Sequence, residues 1–413
     1  MIARTEYPVA PLSYLADVRP SGVDKHTHAD EVPVRLCNYT DIYYRERITN
    51  DIDFMEASAT PAEMDRFALA PGDVVMTKDS ETADDIGIPA LVVEGLDSVL
   101  LGYHNTLVRP TAKLEPRFLF WFLSSRVAAA YWETKARGVT RVGLRTEDVA
   151  ALPVPVPPLD TQRRIADMLD AETARIDALI GKKRQASSAA RRRFERRHWD
   201  LVTGTDIRQL RPMSSASWVP GLPAGWSAPA LRYLISWKYG HPFRSDGFTE
   251  ESAATPVVRI RDLVRNRVQT WTDEWPDPSS WIDDGEIVIG MDGDFNVVRW
   301  GGGQAALNQR VCAVESQHPG LSNDYLAEAI KYPLHYINET VHFTTVRHLS
   351  FADLLAQRIP LPPSEEQHHI AKEIGQERMT LLRLQDVTER SISLLQSRRQ
   401  ALITAAVTGE IEV

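Results

Sequence analysis

The amino-acid sequence predicts a mixed α+β protein. Two α/β heads alternate with two long helices that pair as an antiparallel coiled coil, giving an internal repeat with pseudo-two-fold character. Three observations lead there. First, the chain matches itself at an offset of 205 residues, close to half of its 413. Gln162 falls on Gln367, Ile165 on Ile370, Glu172 on Glu377 and Val202-Thr203-Gly204 on Val407-Thr408-Gly409. From Leu144 to Ala166 nine of 23 positions are identical to their counterparts. Second, each copy ends in a proline-free amphipathic stretch of forty-odd residues. Third, each copy begins with short β-rich runs punctuated by Gly, Asp and Pro. A fixed-period self-match means one structural unit built twice.

In chain order, the first head covers 1–154. The runs VPVRLC, DVVMTK and ALVVEG read as strands, and EPRFLFWFLSSRVAAAYW reads as helix whose aromatics belong to the core. The first long helix occupies 155–205: after PVPPL, Asp160 is the expected N-cap and the pattern runs to about Val202. Forty-odd residues at 1.5 Å each make a rod of roughly 60 Å. The segment 206–358 holds a Pro/Ser/Gly-rich linker over Gly204–Gly225 and the second head, with strands PVVRIR, EIVIGM and QRVCAV and the helical SNDYLAEAIKYPLHYI. The second rod covers 359–413: Ser364 is the expected N-cap of a helix that begins near Glu365, runs to about Val407 and stops at Gly409. Ile374, Leu381, Thr388, Leu395 and Leu402 recur at heptad spacing. The first rod has Ile165, Leu169, Ile176 and Leu179 in seam positions, then Lys183, Ala190 and Arg197. An amphipathic rod of this length cannot bury its own stripe, so the two copies are expected to pack on each other; the alternative is two separate helices, each docked on its own head. Gln162, Ile165, Gln367 and Ile370 are expected to organise the junction between head and rod.

Composition excludes several classes. Apolar residues are 43% and charged residues 25%, the balance of a globular protein. Two cysteines cannot form a disulfide framework, and no apolar run reaches the 18 or so residues of a membrane span, so a cytoplasmic location is expected. The net charge of −9 divides unevenly: −7 over 1–154, +4 over 155–205, −4 over 206–358 and −2 over 359–413. Eight Lys or Arg lie between Lys182 and Arg197 against one Glu, either a solvated helix face or a surface for phosphates or an acidic partner.

Catalytic motifs are missing. Gly301–Gly303 leads into QAALNQR with no Lys-Ser/Thr, and there is no nucleophile elbow, H-E-x-x-H helix or paired C-x-x-C. His26 with His28, and His368 with His369, lack helical ligand spacing and are expected to face solvent. The sequence reads as a non-enzyme with no metal site.

The two-headed plan resembles the specificity (S) subunit of type I restriction-modification systems. The resemblance rests on PVPPLDTQRRIADMLD with PLPPSEEQHHIAKEI, the long helix after each, the closing LVTG and AVTG, and the head signatures GDVVMTK, GYHNTLVRP and LNQRV. It covers essentially the whole chain. It implies two target-recognition domains, each reading one half of a bipartite, asymmetric double-stranded DNA site. It also implies rods that space them and dock two methyltransferase (M) subunits, with restriction (R) subunits where a system has them. No cofactor is expected on this chain; S-adenosylmethionine, and ATP with Mg for restriction, would lie on the partners. Candidate DNA contacts are polar or basic residues on loops flanking the strands. In the first head these are Arg35, Asn38, Lys78, His104, Asn105, Thr140 and Arg141. In the second they are Arg259, Arg261, Asn296, Asn308, Gln309, Thr345 and Arg347. The competing reading is an acidic DNA mimic or scaffold that binds a DNA-processing enzyme without reading DNA.

Overall fold

The computed structural model describes residues 7–205, 209–213, 218–219, 221–340 and 348–412. The chain divides into two compact units, Met1–Gln185 with Val387–Val413, and Ala186–Asp386. Each unit therefore holds one head, half of the first rod (Leu159–Thr203) and half of the second (Ser364–Thr408).

In the first unit the head contains β1 (Ala16–Pro20), β2 (Val32–Cys37), α1 (Tyr39–Tyr43), β3 (Arg47–Ile48), β4 (Met55–Ala59), β5 (Val74–Thr77), β6 (Pro89–Val92), β7 (Val99–Leu101) and β8 (Asn105–Pro110). Two helices follow, α2 (Pro116–Leu123) and α3 (Arg126–Lys135). The strands form a five-stranded sheet, β1-β8-β5-β6-β3, and a three-stranded sheet, β4-β2-β7, in which β2 and β7 run parallel. Strands β5 and β6 are buried along their length, as near-continuous apolar runs require. Phe118, Phe120, Trp121 and Phe122 of α2 are buried and join one core with Ile165, Leu169, Ile403 and Val407 of the rods. The aromatics are core, as the sequence predicts. The helical stretch, however, breaks at Ser124-Ser125, where Ser125 caps α3 through its hydroxyl and the Ala128 N–H.

The second unit repeats this plan. Its head contains β9 (Ile235–Tyr239), β10 (Thr255–Val258), α4 (Ile260–Arg265), β11 (Thr270–Thr272), β12 (Trp281–Ile282), β13 (Ile287–Gly290), β14 (Val297–Arg299), β15 (Ala305–Leu307), β16 (Val311–Ser316), α5 (Asn323–Ala329) and α6 (Lys331–Thr340). One sheet is β9-β16-β13-β14 and the other is β11-β10-β15-β12, again with one parallel pair, β10 and β15. Leu201, Val202, Ile370 and Ile374 of the rods join the head core around Tyr325 and Leu326. Part of the expected linker pairs Arg211–Pro212 with Gly221–Leu222.

In both units the rods run antiparallel. In the first, Ile165 and Leu169 share a core with Ile403 and Val407, while Arg399 meets Asp177 at 3.2 Å. In the second, Arg197 meets Glu373 at 2.6 Å, and the Arg378 guanidinium stands 5.9 Å from the Phe194 ring. Burial along the seam is uneven: Ile374 is fully buried, Leu381 and Leu395 are half-buried, and Leu179 and Leu384 are exposed. Ile176 and Ile180 of the first rod are buried as well. Both starts need correction: the first rod begins at Leu159 and the second at Ser364, so Asp160 and Ser364 lie within the first turns and are not the caps, and the Asp160 carboxylate there favours the helix dipole.

The residues expected at the junctions join head to rod. Gln162 is buried; its Oε1 accepts the Glu115 N–H at 2.8 Å and its Nε2 donates to the carbonyls of Pro157 and Lys113. Gln367 repeats this with the Ser322 N–H at 2.9 Å and the carbonyls of Pro362 and Gly320. One side chain thus satisfies the open end of α2 or α5 and fixes the proline-rich approach to the rod.

Candidate nucleic-acid interface

The strand-then-helix turn at the edge of the parallel pair is the best-defined polar site in each head. In the first head β2 ends at Cys37 and Asn38 caps α1 in a capping box, its own N–H donating to Asp41 Oδ2 at 2.8 Å. In the second, β10 ends at Val258 and Arg259 takes the same place, its N–H donating to Asp262 Oδ2 at 2.8 Å. The Gly102 N–H donates to Cys37 O, and the Asn308 N–H to Val258 O. This register makes Asn38 equivalent to Arg259, Gly102 to Asn308, Tyr103 to Gln309 and His104 to Arg310. A side chain at Gly102 would stand 2.7 Å from Asn38 Oδ1. In the second head the equivalent residue is Asn308, whose Oδ1 accepts the Arg310 N–H at 3.3 Å.

A carboxylate backs the last of these positions in both heads. His104 Nδ1 bonds Asp79 Oδ2. Arg310 Nη1 donates to Asp292 Oδ2 at 2.6 Å, and His348 Nδ1 lies 2.7 Å from Asp292 Oδ1. Asp79 pairs in register with Gly143, and Asp292 bridges to His348, which is 205 residues beyond Gly143. Burial raises the Asp292 carboxyl, but hydrogen bonds from His348 and Arg310 outweigh it and hold the group below its ordinary value.

Four of the second head's candidates converge. Arg259, Arg261, Asn308 and Gln309 line one cleft of about 320 Å³, together with Arg310, Phe243 and Phe248. The Arg259 guanidinium stands 5.0 Å from the Phe248 ring centre, and Arg261 Nη2 donates to Thr270 Oγ1 at 2.8 Å. Asn296 is exposed in the β13–β14 turn and does not line that cleft; its carbonyl accepts the Gly290 N–H. Thr345 and Arg347 lie outside the described residues.

In the first head, Asn38, Lys78 and His104 gather around the same edge, where the Lys78 N–H donates to His104 O and Leu144 N–H to Lys78 O. Thr140 and Arg141 are exposed on a hairpin closed by paired hydrogen bonds between Arg137 and Gly143. Gly138, at φ +143°, permits this tip, because a side chain there would stand 1.9 Å from the Arg141 carbonyl oxygen. Arg35 lies apart, donating to Asp97 O at 2.6 Å with its guanidinium 5.7 Å from the Phe54 ring centre. Asn105 is fully buried, donating to the carbonyls of Gly102 and Tyr103, so its side chain faces the protein.

Sequence reasoning missed Arg310, Asp79 and Asp292. The signal was present in the parallel placement of Gly102-Tyr103-His104 before β8 and Asn308-Gln309-Arg310 before β16, and in an aspartate just after β5 and β13. Among the described residues no group of His, Cys, Asp or Glu could hold a metal ion, and His26, His28, His368 and His369 are exposed. No described helix is long and apolar enough to cross a membrane.

Known proteins share this architecture. A chain solved in a structural study of complex assembly and conformational transition of the type I R-M system matches over 100% of both chains, at TM-score 0.76 and 19% identity. The HsdS subunit from Thermoanaerobacter tengcongensis matches over 98% of this chain and 97% of that one, at TM-score 0.54 and 19% identity. The EcoBI specificity subunit of Escherichia coli is 34% identical over 190 residues, 45% of this chain. That match spans 39% of the length of the E. coli relative. The family model described as the type I restriction modification DNA specificity domain matches twice, at residues 41–186 and 256–376, each time from a head into a rod. The chain belongs to the type I restriction-modification DNA specificity family.

Proposed function

We propose that this chain reads a bipartite, asymmetric double-stranded DNA site for a type I restriction-modification complex. Each head takes one half of the site. The rods set the spacing and dock two M subunits, with R subunits added where the system cleaves DNA. The chain itself catalyses nothing; S-adenosylmethionine, and ATP with Mg for restriction, belong to the partners, and the complex works in the cytoplasm. One observation carries this reading. The same backbone frame is built twice with the same carboxylates behind it, while the side chains it displays differ: Asn38, Tyr103 and His104 against Arg259, Gln309 and Arg310. Two readers of different half-sites need this division, since frame and register are shared and base-edge contacts are not. A net charge of −9 leaves much of the phosphate grip to partner subunits, so the chain alone should bind DNA weakly.

The test is a methylome of cells expressing the chain with its M subunit. The expected result is one bipartite motif with a gap of several base pairs, of which only one half changes when the second head is exchanged. A continuous palindrome, or a motif indifferent to this chain, overturns the reading. Gel shifts separate the DNA-mimic alternative: specific binding that appears on adding M subunits supports DNA reading, and competition between the chain and DNA for the enzyme replaces it.

A further inference from the structure

We propose that the residue entering the last strand of each head, β8 or β16, determines one base pair of each half-site. This residue is His104 in the first head and Arg310 in the second; Asp79 and Asp292 are its positioning residues, and Arg310 selects a guanine. The proposal rests on the heads being DNA readers and goes beyond it by naming the residues and the base.

The geometry separates a holding group from a reaching one. The Arg310 side chain is 64% exposed, whereas that of Asp292 is 16% exposed and lies behind it. One amino group of the guanidinium, Nη1, is tied to Asp292. Among the described residues Nη2 and Nε of Arg310 have no hydrogen-bond partner. A planar fork fixed from one side presents its remaining donors in a set direction, which suits the paired O6 and N7 acceptors of guanine in the major groove. A carboxylate 2.6 Å away also offsets the charge that would make Arg310 a strong phosphate contact. Residues without such a partner carboxylate, such as Arg141 on its exposed hairpin, suit the phosphate role better. Asn308 and Gln309 line the same cleft beside Arg310, so amide donors and acceptors adjoin the fork.

The first head supplies an independent comparison. Its register places His104 where Arg310 stands, backed by Asp79 where Asp292 stands, on a left-handed backbone at φ +68°. The clamp is kept and the displayed group is changed. A position whose support is constant while its chemistry differs is where two readers built on one frame diverge in specificity.

The experiment is methylome sequencing with the full chain assembled with its M subunits. Arg310→Lys keeps a cation for Asp292 but loses the fork; Arg310→Gln loses both charge and fork. Both should relax one G·C position in one half of the motif, by roughly 5- to 150-fold in discrimination. Asp292→Asn should relax the same position more weakly, and Asp292→Glu should restore it, a pattern that a purely structural role would not produce. His104→Asn and Asp79→Asn should relax one position in the other half. Co-purification with M subunits establishes that each variant assembles. A uniform fall in methylation with the motif unchanged overturns the proposal, because it marks a phosphate contact. So does relaxation of the same half by changes at 104 and 310. A motif that does not depend on this chain at all overturns the DNA-reading function itself.

Discussion

The two head–rod junctions share a backbone plan and differ in chemistry. Six residues after the helix caps Glu115 of α2 and Ser322 of α5, the first unit has Trp121 and the second has Glu328. Trp121 is buried, donates from Nε1 to Asp170 at 3.0 Å, and has the Arg399 guanidinium 5.6 Å from its ring centre. Glu328 is buried among His198, Lys331 and Arg378, with Lys331 Nζ at 2.7 Å. On the rods the 205-residue offset sets Arg399 against Phe194, Ile403 against His198 and Asp170 against Gly375. In one unit the head brings the aromatic ring and the rod the ions; in the other the head brings a carboxylate and the rod brings Phe194. The gain is specificity of docking. Glu328 in the first socket would face Asp170, and Trp121 in the second would leave His198 and Arg378 without their carboxylate.

The largest effect is expected from exchanging the chemistry. Trp121→Glu removes a buried ring and sets a carboxylate beside Asp170, and should destabilise the first unit by about 4–5 kcal/mol. Denaturant unfolding followed by hydrogen exchange in 116–135 measures it. A loss below 1 kcal/mol would mean that the sockets are interchangeable.

Next comes Glu328→Ala, which leaves Lys331 and Arg378 without their shared carboxylate beside the buried His198 ring and should cost about 3–5 kcal/mol, read from exchange in 323–340. Acid tests the same cluster reversibly. Burial raises the Glu328 carboxyl, but His198, Arg378 and Lys331 outweigh it and hold it well below its ordinary 4.5. Burial lowers the His198 imidazole below its ordinary 6.5, against the pull of Glu328. Both groups take up protons more readily when unfolded, so their stabilisation is present above the unfolded values and is lost as pH falls toward the folded ones. The second unit should therefore weaken progressively below pH 6.5, starting with His198 and continuing with Glu328 below 4.5. The first unit has Ile403 and Trp121 at these places and lacks this cluster. Equal acid sensitivity of the two units would contradict the contrast.

Where the junctions agree, so should the mutants. Gln162→Ala and Gln367→Ala each break three hydrogen bonds around a buried amide and should cost about 2–3 kcal/mol apiece. A large difference between them would show that the shared motif carries unequal weight. The smallest effect is Arg399→Ala. It removes ion pairs to Glu46 and Asp177 and the contact with Trp121, and should cost about 1 kcal/mol, partly hidden by added salt.

Much of the frame was legible because periodicity survives without knowledge of the fold. The repeat and both rods follow from spacing alone, Gln162 and Gln367 were expected at the junction, and each rod begins a residue or two earlier than expected, at Leu159 and Ser364. The site was half legible. Arg259, Arg261, Asn308 and Gln309 converge as polar residues flanking strands, yet Asn105 points inward and Arg310 was passed over. Whether a strand-end residue faces the core or solvent depends on pairing register, and a slip of one residue reverses the face. That register is set by hydrogen bonds between segments some fifty to seventy residues apart, such as Gly102 with Cys37 and Asn308 with Val258.

The sequence by itself therefore determined the parts and their order: two heads, two rods, and a glutamine at each joint. Their periodic patterns are local, and local patterns need no partner to be read. The tertiary structure alone decided which side chains meet. It paired Asp79 with His104 and Asp292 with Arg310, and it set Trp121 against Arg399 while enclosing Glu328 among cations. Those contacts join residues far apart in the chain, and only burial and register bring them within reach.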